Sequence, residues 1–326
     1  MSLTIWANHE LRPGARELFY DSIARLGCRV IQSDQSSPSV LAEGAVDPTL
    51  AGADVAYGQP DPADLIRYPR LRWVALSTAG YTRYDSDSFR ATLRERGTVV
   101  TNSSQVFANP CAEHVLAMML AFARELPKYA VNQAGGQRGW EYLPDRYSKD
   151  MLTGKTVLIL GYGAIGRRLT ELLAPFHCRV IGMRRRPRGN EPIEFVSESE
   201  LPAVLPLAHH VVNVLPDAVG TRKFCDAAFF QNLAKGARFY NIGRGITVDQ
   251  DALLVTLRNG RLAGAYLDAL DPEPLPPEHP LWFEPHCQIT PHVAGGHREQ
   301  DENLVSHFLT NLGNFINGEP LVDRII

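Results

Sequence analysis

The run Val157-Leu158-Ile159-Leu160-Gly161-Tyr162-Gly163-Ala164-Ile165-Gly166 constrains this chain more than any other segment. Four consecutive apolar residues read as a strand buried on both faces, and three glycines follow at the spacing G-x-G-x-x-G. Arg167–Leu173 then continues with helical spacing. In a strand–turn–helix of this kind, Gly161 permits the tight turn, Gly163 lets a phosphate reach the backbone, and Gly166 lets helix and strand pack closely. The unpaired N–H groups at the helix N-terminus favour an anion. Gly161, Tyr162, Gly163, Ala164, Ile165 and Gly166 are therefore read as the pyrophosphate loop of a dinucleotide-binding domain that begins near Met151.

The rest of the chain fits an α/β protein. Leu3–Ala7, Arg29–Ile31, Val55–Tyr57, Trp73–Ser77 and Thr98–Thr101 read as strands, with helical spacing at Ala15–Leu26 and Ser86–Arg96. A second alternating series runs from Thr156 to Thr290, and His297–Ile316 is an amphipathic helix stopped at Asn317-Gly318. Alternation of this kind in both series predicts two parallel sheets with helices on both faces. Between them, Pro110–Leu126 reads as a helix with Pro110 in its first turn, and 127–150 as a long connection carrying Trp140. That helix is apolar nearly all round and needs cover on several sides, which points to a homodimer.

With 326 residues, two domains are the default. A net charge of −3 offers no electrostatic case for nucleic acid or a membrane surface. No secretory signal is recognised at the N-terminus. The longest apolar stretch, Val115–Ala123, is about nine residues, against roughly 20 for a membrane span. Five scattered cysteines without a C-x-x-C pair fit a reducing cytoplasm and no structural metal.

A carboxylate for the adenosine ribose is expected about 20 positions after the glycine loop. None stands between Glu171 and Glu191; the second strand runs instead into Arg184-Arg185-Arg186. A guanidinium fork suits a 2′-phosphate. Arg184 and Arg185 are thus the expected contacts, and NADP(H) is expected ahead of NAD(H).

Three segments place polar residues where strands should end: Asn241–Gly245, Asp268–Pro274 and Thr290–Gly295. Together with Gly161–Gly166, Thr78-Ala79-Gly80, Ala112-Glu113-His114 and Leu215-Pro216, they make the chain resemble the D-isomer-specific 2-hydroxyacid dehydrogenase family, glyoxylate/hydroxypyruvate reductase-like, over nearly its whole length. The resemblance implies hydride transfer between a nicotinamide and C2 of a small 2-keto or 2-hydroxy acid. It assigns Arg244 to substrate binding, His292 to acid–base work and Glu273 to its acidic partner. It gives the substrate carboxylate to backbone N–H groups at Thr78, Ala79 and Gly80. It also implies cofactor contacts at Leu215, Pro216, Thr221, Ile242, Gly243, Asp268 and Gly295. The chemistry agrees: ketone reduction makes an alkoxide, and a histidine can protonate it near neutral pH.

The chain departs from the family where Thr82 replaces a common aspartate, Gly243 a frequent alanine, and Ala269-Leu270 a valine–aromatic pair. The resemblance implies two Rossmann-like domains with parallel sheets: a flavodoxin-like substrate domain, expected at 1–103 and 293–326, and a dinucleotide-binding domain, expected at 104–292. Trp140, Trp282 and the Tyr57–Pro60 turn are read either as pocket lining or as packing. The leading expectation is an NADPH-dependent reductase of a small 2-keto acid. Its rivals are an NAD-dependent D-2-hydroxyacid dehydrogenase and a non-catalytic nucleotide sensor.

Overall fold

A computed structural model describes residues 2–37, 45–136, 139–140, 142–184 and 193–326. The chain divides into two units, Met1–Phe107 with Gly296–Ile326, and Ala108–Gly295.

The first unit holds a five-stranded sheet ordered β2-β1-β3-β4-β5, with every pair parallel. Its strands are β1 (Thr4–His9), β2 (Arg29–Ser37), β3 (Val55–Gly58), β4 (Trp73–Leu76) and β5 (Val99–Thr101). Parallel strands are covered on both faces by their crossover helices, which explains why Val55, Ala56, Trp73 and Val74 are all fully buried. The C-terminal helix Gln300–Asn317 completes one face. Its Phe308 stacks on Trp73 with centroids 5.2 Å apart and lies 4.4 Å from the Tyr57 ring. Each such buried side chain contributes about 1.5–3 kcal/mol. Tyr57 is thus a core residue. The helix stops at Gly318, which adopts φ +73°, as the Asn-Gly pair predicts.

The second unit holds seven parallel strands ordered β12-β11-β10-β9-β6-β7-β8. These are β6 (Thr156–Leu160), β7 (Arg179–Met183), β8 (Glu194–Val196), β9 (His210–Asn213), β10 (Ala237–Asn241), β11 (Leu262–Leu267) and β12 (Cys287–Ile289). The order reverses between β6 and β9, so the crevice beyond their carboxyl ends is the expected ligand position. Val157 to Leu160 are completely buried at the sheet's centre.

Three sequence expectations need correction here. The helix begins six residues before Pro110, at Ser104, and Pro110 lies inside it. Its start is set from far away in sequence, by Asp323, whose carboxylate accepts the Gln105 N–H at 2.8 Å. At 20 residues, Ser104–Ala123 is also long and apolar enough, by length and composition alone, to cross a membrane, so the nine-residue argument fails. In this fold it lies against the second sheet, its Phe122 ring 5.9 Å from Tyr240 and its His114 ring 5.3 Å from Tyr266. Finally, the stretch 127–150 is not an open connection. It contributes to helix Leu126–Ala134 and contains helix Tyr142–Tyr147, neither of which buries a residue.

Candidate active site

The catalytic candidates stand on loops at the carboxyl ends of β10, β11 and β12. Two buried asparagines tie the β9, β10 and β11 ends together. Asn213, the last residue of β9, donates to Asn241 Oδ1 at 3.0 Å and to Thr247 Oγ1 at 2.7 Å. Asn241, the last residue of β10, donates to the Ala269 carbonyl at 2.8 Å and accepts the Gly243 N–H at 3.2 Å. An unsatisfied amide at these depths would be costly, so the loops follow the asparagines. Asn241 opens one of the sequence motifs, but Asn213 and Thr247 carry no signal beyond their polarity beside apolar runs.

Arg244 follows at once. It is partly buried, and its Nη1 donates to the Gly243 carbonyl at 2.8 Å. Burial lowers the guanidinium's pKa from its ordinary value, while the charges of Glu273 and Asp217 oppose that shift. Gly243 and Gly245 let neighbouring backbone close in. A Cβ on Gly243 would stand 2.7 Å from the Leu215 carbonyl oxygen, and one on Gly245 would stand 1.9 Å from that of Leu270. The alanine frequent in the family at 243 therefore does not fit this chain's backbone without moving Leu215.

Glu273 and His292 meet directly. Glu273 Oε2 lies 2.9 Å from His292 Nδ1, and Glu273 Oε1 accepts the Leu270 N–H at 2.8 Å. Burial would raise the Glu273 pKa, but the bonds from His292 and Leu270 and the charge of Arg244 prevail and hold it below the ordinary value. With Nδ1–H directed at a carboxylate, the imidazole tautomer and ring orientation are fixed, leaving Nε2 for proton exchange. His292 itself has φ +53°, a left-handed backbone uncommon outside glycine.

The glycine loop lies at the end of β6. Gly161 has φ +86°, and a Cβ there would come 2.8 Å from the Val214 carbonyl oxygen. The Gly161 and Tyr162 N–H groups both donate to the Met183 carbonyl at the end of β7. A Cβ on Gly163 would point into open space, whereas one on Gly166 would press on the Tyr162 ring at 3.1 Å. Helix Ala164–Leu173 has no side-chain cap and no acidic residue in its first turn. Its N-terminal field is thus left for an anion, and these residues fit a pyrophosphate.

Arg184 follows β7 and lines a hollow of about 570 Å³ with Met183, Ser197, Glu198 and Ser199. Arg185 lies outside the described residues. In the β9 loop, the Thr221 hydroxyl bonds the Pro216 carbonyl at 2.6 Å and the Ala218 backbone at 3.0 Å, closing the turn. The Leu215 N–H is held by Asn213 and the Ile242 N–H by the Asn213 carbonyl. Gly295, half-buried, ends the second unit's chain.

The loop Thr78-Ala79-Gly80 follows β4 in the first unit. All three of its carbonyls are taken, by the Ser103 N–H, Asn102 Nδ2 and the Thr78 hydroxyl respectively. Of the aromatic candidates, Trp140 is 91 % exposed and packs into no core, while Trp282 is half-exposed and donates to the Pro276 carbonyl. Among the described residues, no cluster of His, Cys, Asp or Glu is placed to hold a metal.

The chain is similar to several known proteins. The family model for the D-isomer specific 2-hydroxyacid dehydrogenase, NAD binding domain, matches residues 116–294. The human glyoxylate reductase/hydroxypyruvate reductase is 32 % identical over 237 residues, 72 % of this chain and 71 % of that protein. A glyoxylate/hydroxypyruvate reductase B from Enterobacter is 29 % identical over 292 residues, 89 % of each. A solved D-isomer specific 2-hydroxyacid dehydrogenase from Xanthobacter autotrophicus, in complex with NADPH and MES, superposes with TM-score 0.81 at 25 % identity, covering 100 % of this chain and 98 % of that one. An NADPH-dependent glyoxylate/hydroxypyruvate reductase from Sinorhizobium meliloti gives 0.75 at 26 %, over 99 % and 98 %. With a parallel dinucleotide fold and a model matching more than half its length, the chain belongs to the D-isomer specific 2-hydroxyacid dehydrogenase family of oxidoreductases.

Proposed function

We propose that the protein reduces a small 2-keto acid, of the glyoxylate or hydroxypyruvate kind, to the D-2-hydroxy acid, using NADPH. The observation that carries this reading is the Glu273–His292 pair, 2.9 Å apart, beside the partly buried Arg244. The reduced nicotinamide, when bound, supplies the hydride. This chain's residues supply the rest. His292 gives the Nε2 proton to the developing alkoxide, and Glu273 steadies the imidazole by its bond to Nδ1. Arg244 holds the acid's carboxylate and polarises its carbonyl. The relatives named for glyoxylate and hydroxypyruvate reduction support the substrate class.

The preference for NADPH is supported by Arg184 after β7 and by the NADPH or NADP bound in the similar solved structures from Xanthobacter autotrophicus and Sinorhizobium meliloti. Glu198 lines the same hollow, and a carboxylate there repels a 2′-phosphate. That observation favours NADH as the second reading.

We also propose a homodimer built on the second unit. Leu126, Val131, Trp282 and Phe283 are exposed there. The last three line a hollow of about 870 Å³ beside Phe122, on a face whose apolar area calls for cover. The five free cysteines support a reducing, cytoplasmic setting. The function is tested by His292→Ala, which should lower kcat by roughly 10²–10⁴ while leaving NADPH affinity unchanged. Near-wild-type turnover would place the acid elsewhere.

A further inference from the structure

His292 adopts a left-handed backbone that its side chain does not favour, so something must hold it. The bonds converge on one residue. Asp268, buried in the turn after β11, accepts the His292 N–H on its backbone carbonyl at 3.0 Å. Its carboxylate takes the next two amides, Val293 N–H on Oδ1 and Ala294 N–H on Oδ2, each at 2.9 Å. The Thr290 hydroxyl donates to Oδ1 at 2.5 Å. One aspartate therefore grips the loop on both sides of His292.

A second tier stands behind it. The Tyr266 hydroxyl lies 2.5 Å from Thr290 Oγ1 and 2.7 Å from His114 Nε2, on the helix Ser104–Ala123. Counting protons gives the chain a direction. Thr290 spends its one proton on Asp268, so it accepts from Tyr266, whose oxygen then accepts from His114 Nε2–H. Every bond in this row points toward the carboxylate, and charge-assisted bonds of this kind are the strong ones.

We propose that Asp268 is a positioning residue for His292, and that Thr290, Tyr266 and His114 form the hydrogen-bonded row that holds its carboxylate in place. The proposal rests on the reading of His292 as the proton donor. It adds to the cofactor-contact role expected for Asp268: Oδ1 is engaged by Thr290 and Val293, while Oδ2 accepts only the Ala294 N–H and keeps a lone pair for a further donor.

The test uses the full-length protein. Thr290→Val removes the hydroxyl at nearly constant volume, and Thr290→Ser restores it. Thr290→Val should lower kcat about tenfold or more with NADPH Kd within about twofold of wild type, and Thr290→Ser should recover most of the loss. Asp268→Asn sets an amide donor against the loop's own N–H groups. It should lower kcat further and speed hydrogen exchange at the Val293 and Ala294 amides at least about tenfold, measured on protein without substrate. A tenfold weaker NADPH Kd with kcat unchanged at saturating cofactor would overturn the proposal and leave Asp268 a cofactor contact only. Unchanged exchange in Asp268→Asn would overturn it too. The exchange measurement also separates this idea from the assigned reaction. Faster exchange in a protein whose wild type is inert toward every keto acid would keep the loop's anchor and remove the reaction.

Discussion

His210 makes the second unit acid-labile by a predictable amount. It opens β9, between β6 and β10, and is 1 % exposed. Its Nδ1 lies 3.0 Å from the Tyr240 hydroxyl, and the two rings stack 5.8 Å apart. Burial pushes its pKa down from 6.5 to about 3, with the Arg238 charge adding to the shift and Asp150 opposing it. The native state therefore keeps this imidazole neutral where the unfolded chain binds a proton. Its contribution is intact above about pH 6.5 and is lost as pH falls from there toward 3. At pH 5 the unfolded chain is protonated by about 30 to 1 while the native ring is neutral, a loss of about 2 kcal/mol. By pH 3 the loss reaches about 4 kcal/mol. The pH 5 figure depends almost wholly on the unfolded pKa, which makes it the sharper number. His210→Asn abolishes the titration at some pH-independent packing cost. Urea unfolding followed by far-UV circular dichroism at pH 8 and pH 5, on both proteins, isolates the difference. Wild type should lose about 2 kcal/mol more than the variant between those conditions. Equal losses would mean that His210 is protonated in the native state, or that its burial has no energetic consequence.

Two further substitutions probe the site. Glu273→Gln keeps an acceptor for the imidazole but removes the charge, and kcat should fall by about 10- to 100-fold with the fold intact, read by steady-state kinetics beside circular dichroism. Gly243→Ala forces a methyl against the Leu215 carbonyl, which stands 2.7 Å from the new carbon. Moving that backbone should cost about 1–3 kcal/mol and weaken NADPH binding, seen as a lower Tm and a raised Kd in a fluorescence titration.

The cofactor loop is legible in the sequence because its causes are local. A buried strand, three glycines and an uncapped helix N-terminus lie within a short span, and each glycine's task is dictated by near neighbours. The segments that carry Arg244, Glu273 and His292 stand out for another reason: polar residues that interrupt apolar strand patterns announce the sheet's carboxyl edge, while the roles proposed for the three come from the family resemblance. What escapes is set over long distances. The start of helix Ser104–Ala123 depends on Asp323. The helices Leu126–Ala134 and Tyr142–Tyr147 bury nothing of their own, so no apolar stripe marks a core. Strand β8 is three residues at a sheet edge, too short for a period to show. The pairing of Asn213 with Asn241 and of Thr290 with Asp268 joins residues 28 and 22 positions apart, which only the folded sheet brings together.

Keto-acid reduction is read by following NADPH oxidation by the purified protein with glyoxylate, hydroxypyruvate, pyruvate and a phenyl-substituted 2-keto acid, with NADH in parallel. Turnover is expected with glyoxylate and hydroxypyruvate, faster with NADPH than with NADH, and little with the phenyl compound. Faster turnover with NADH would overturn the role given to Arg184. Inertness toward every acid and both cofactors, in protein shown to bind NADPH, would contradict the assignment of Arg244, Glu273 and His292 to keto-acid reduction.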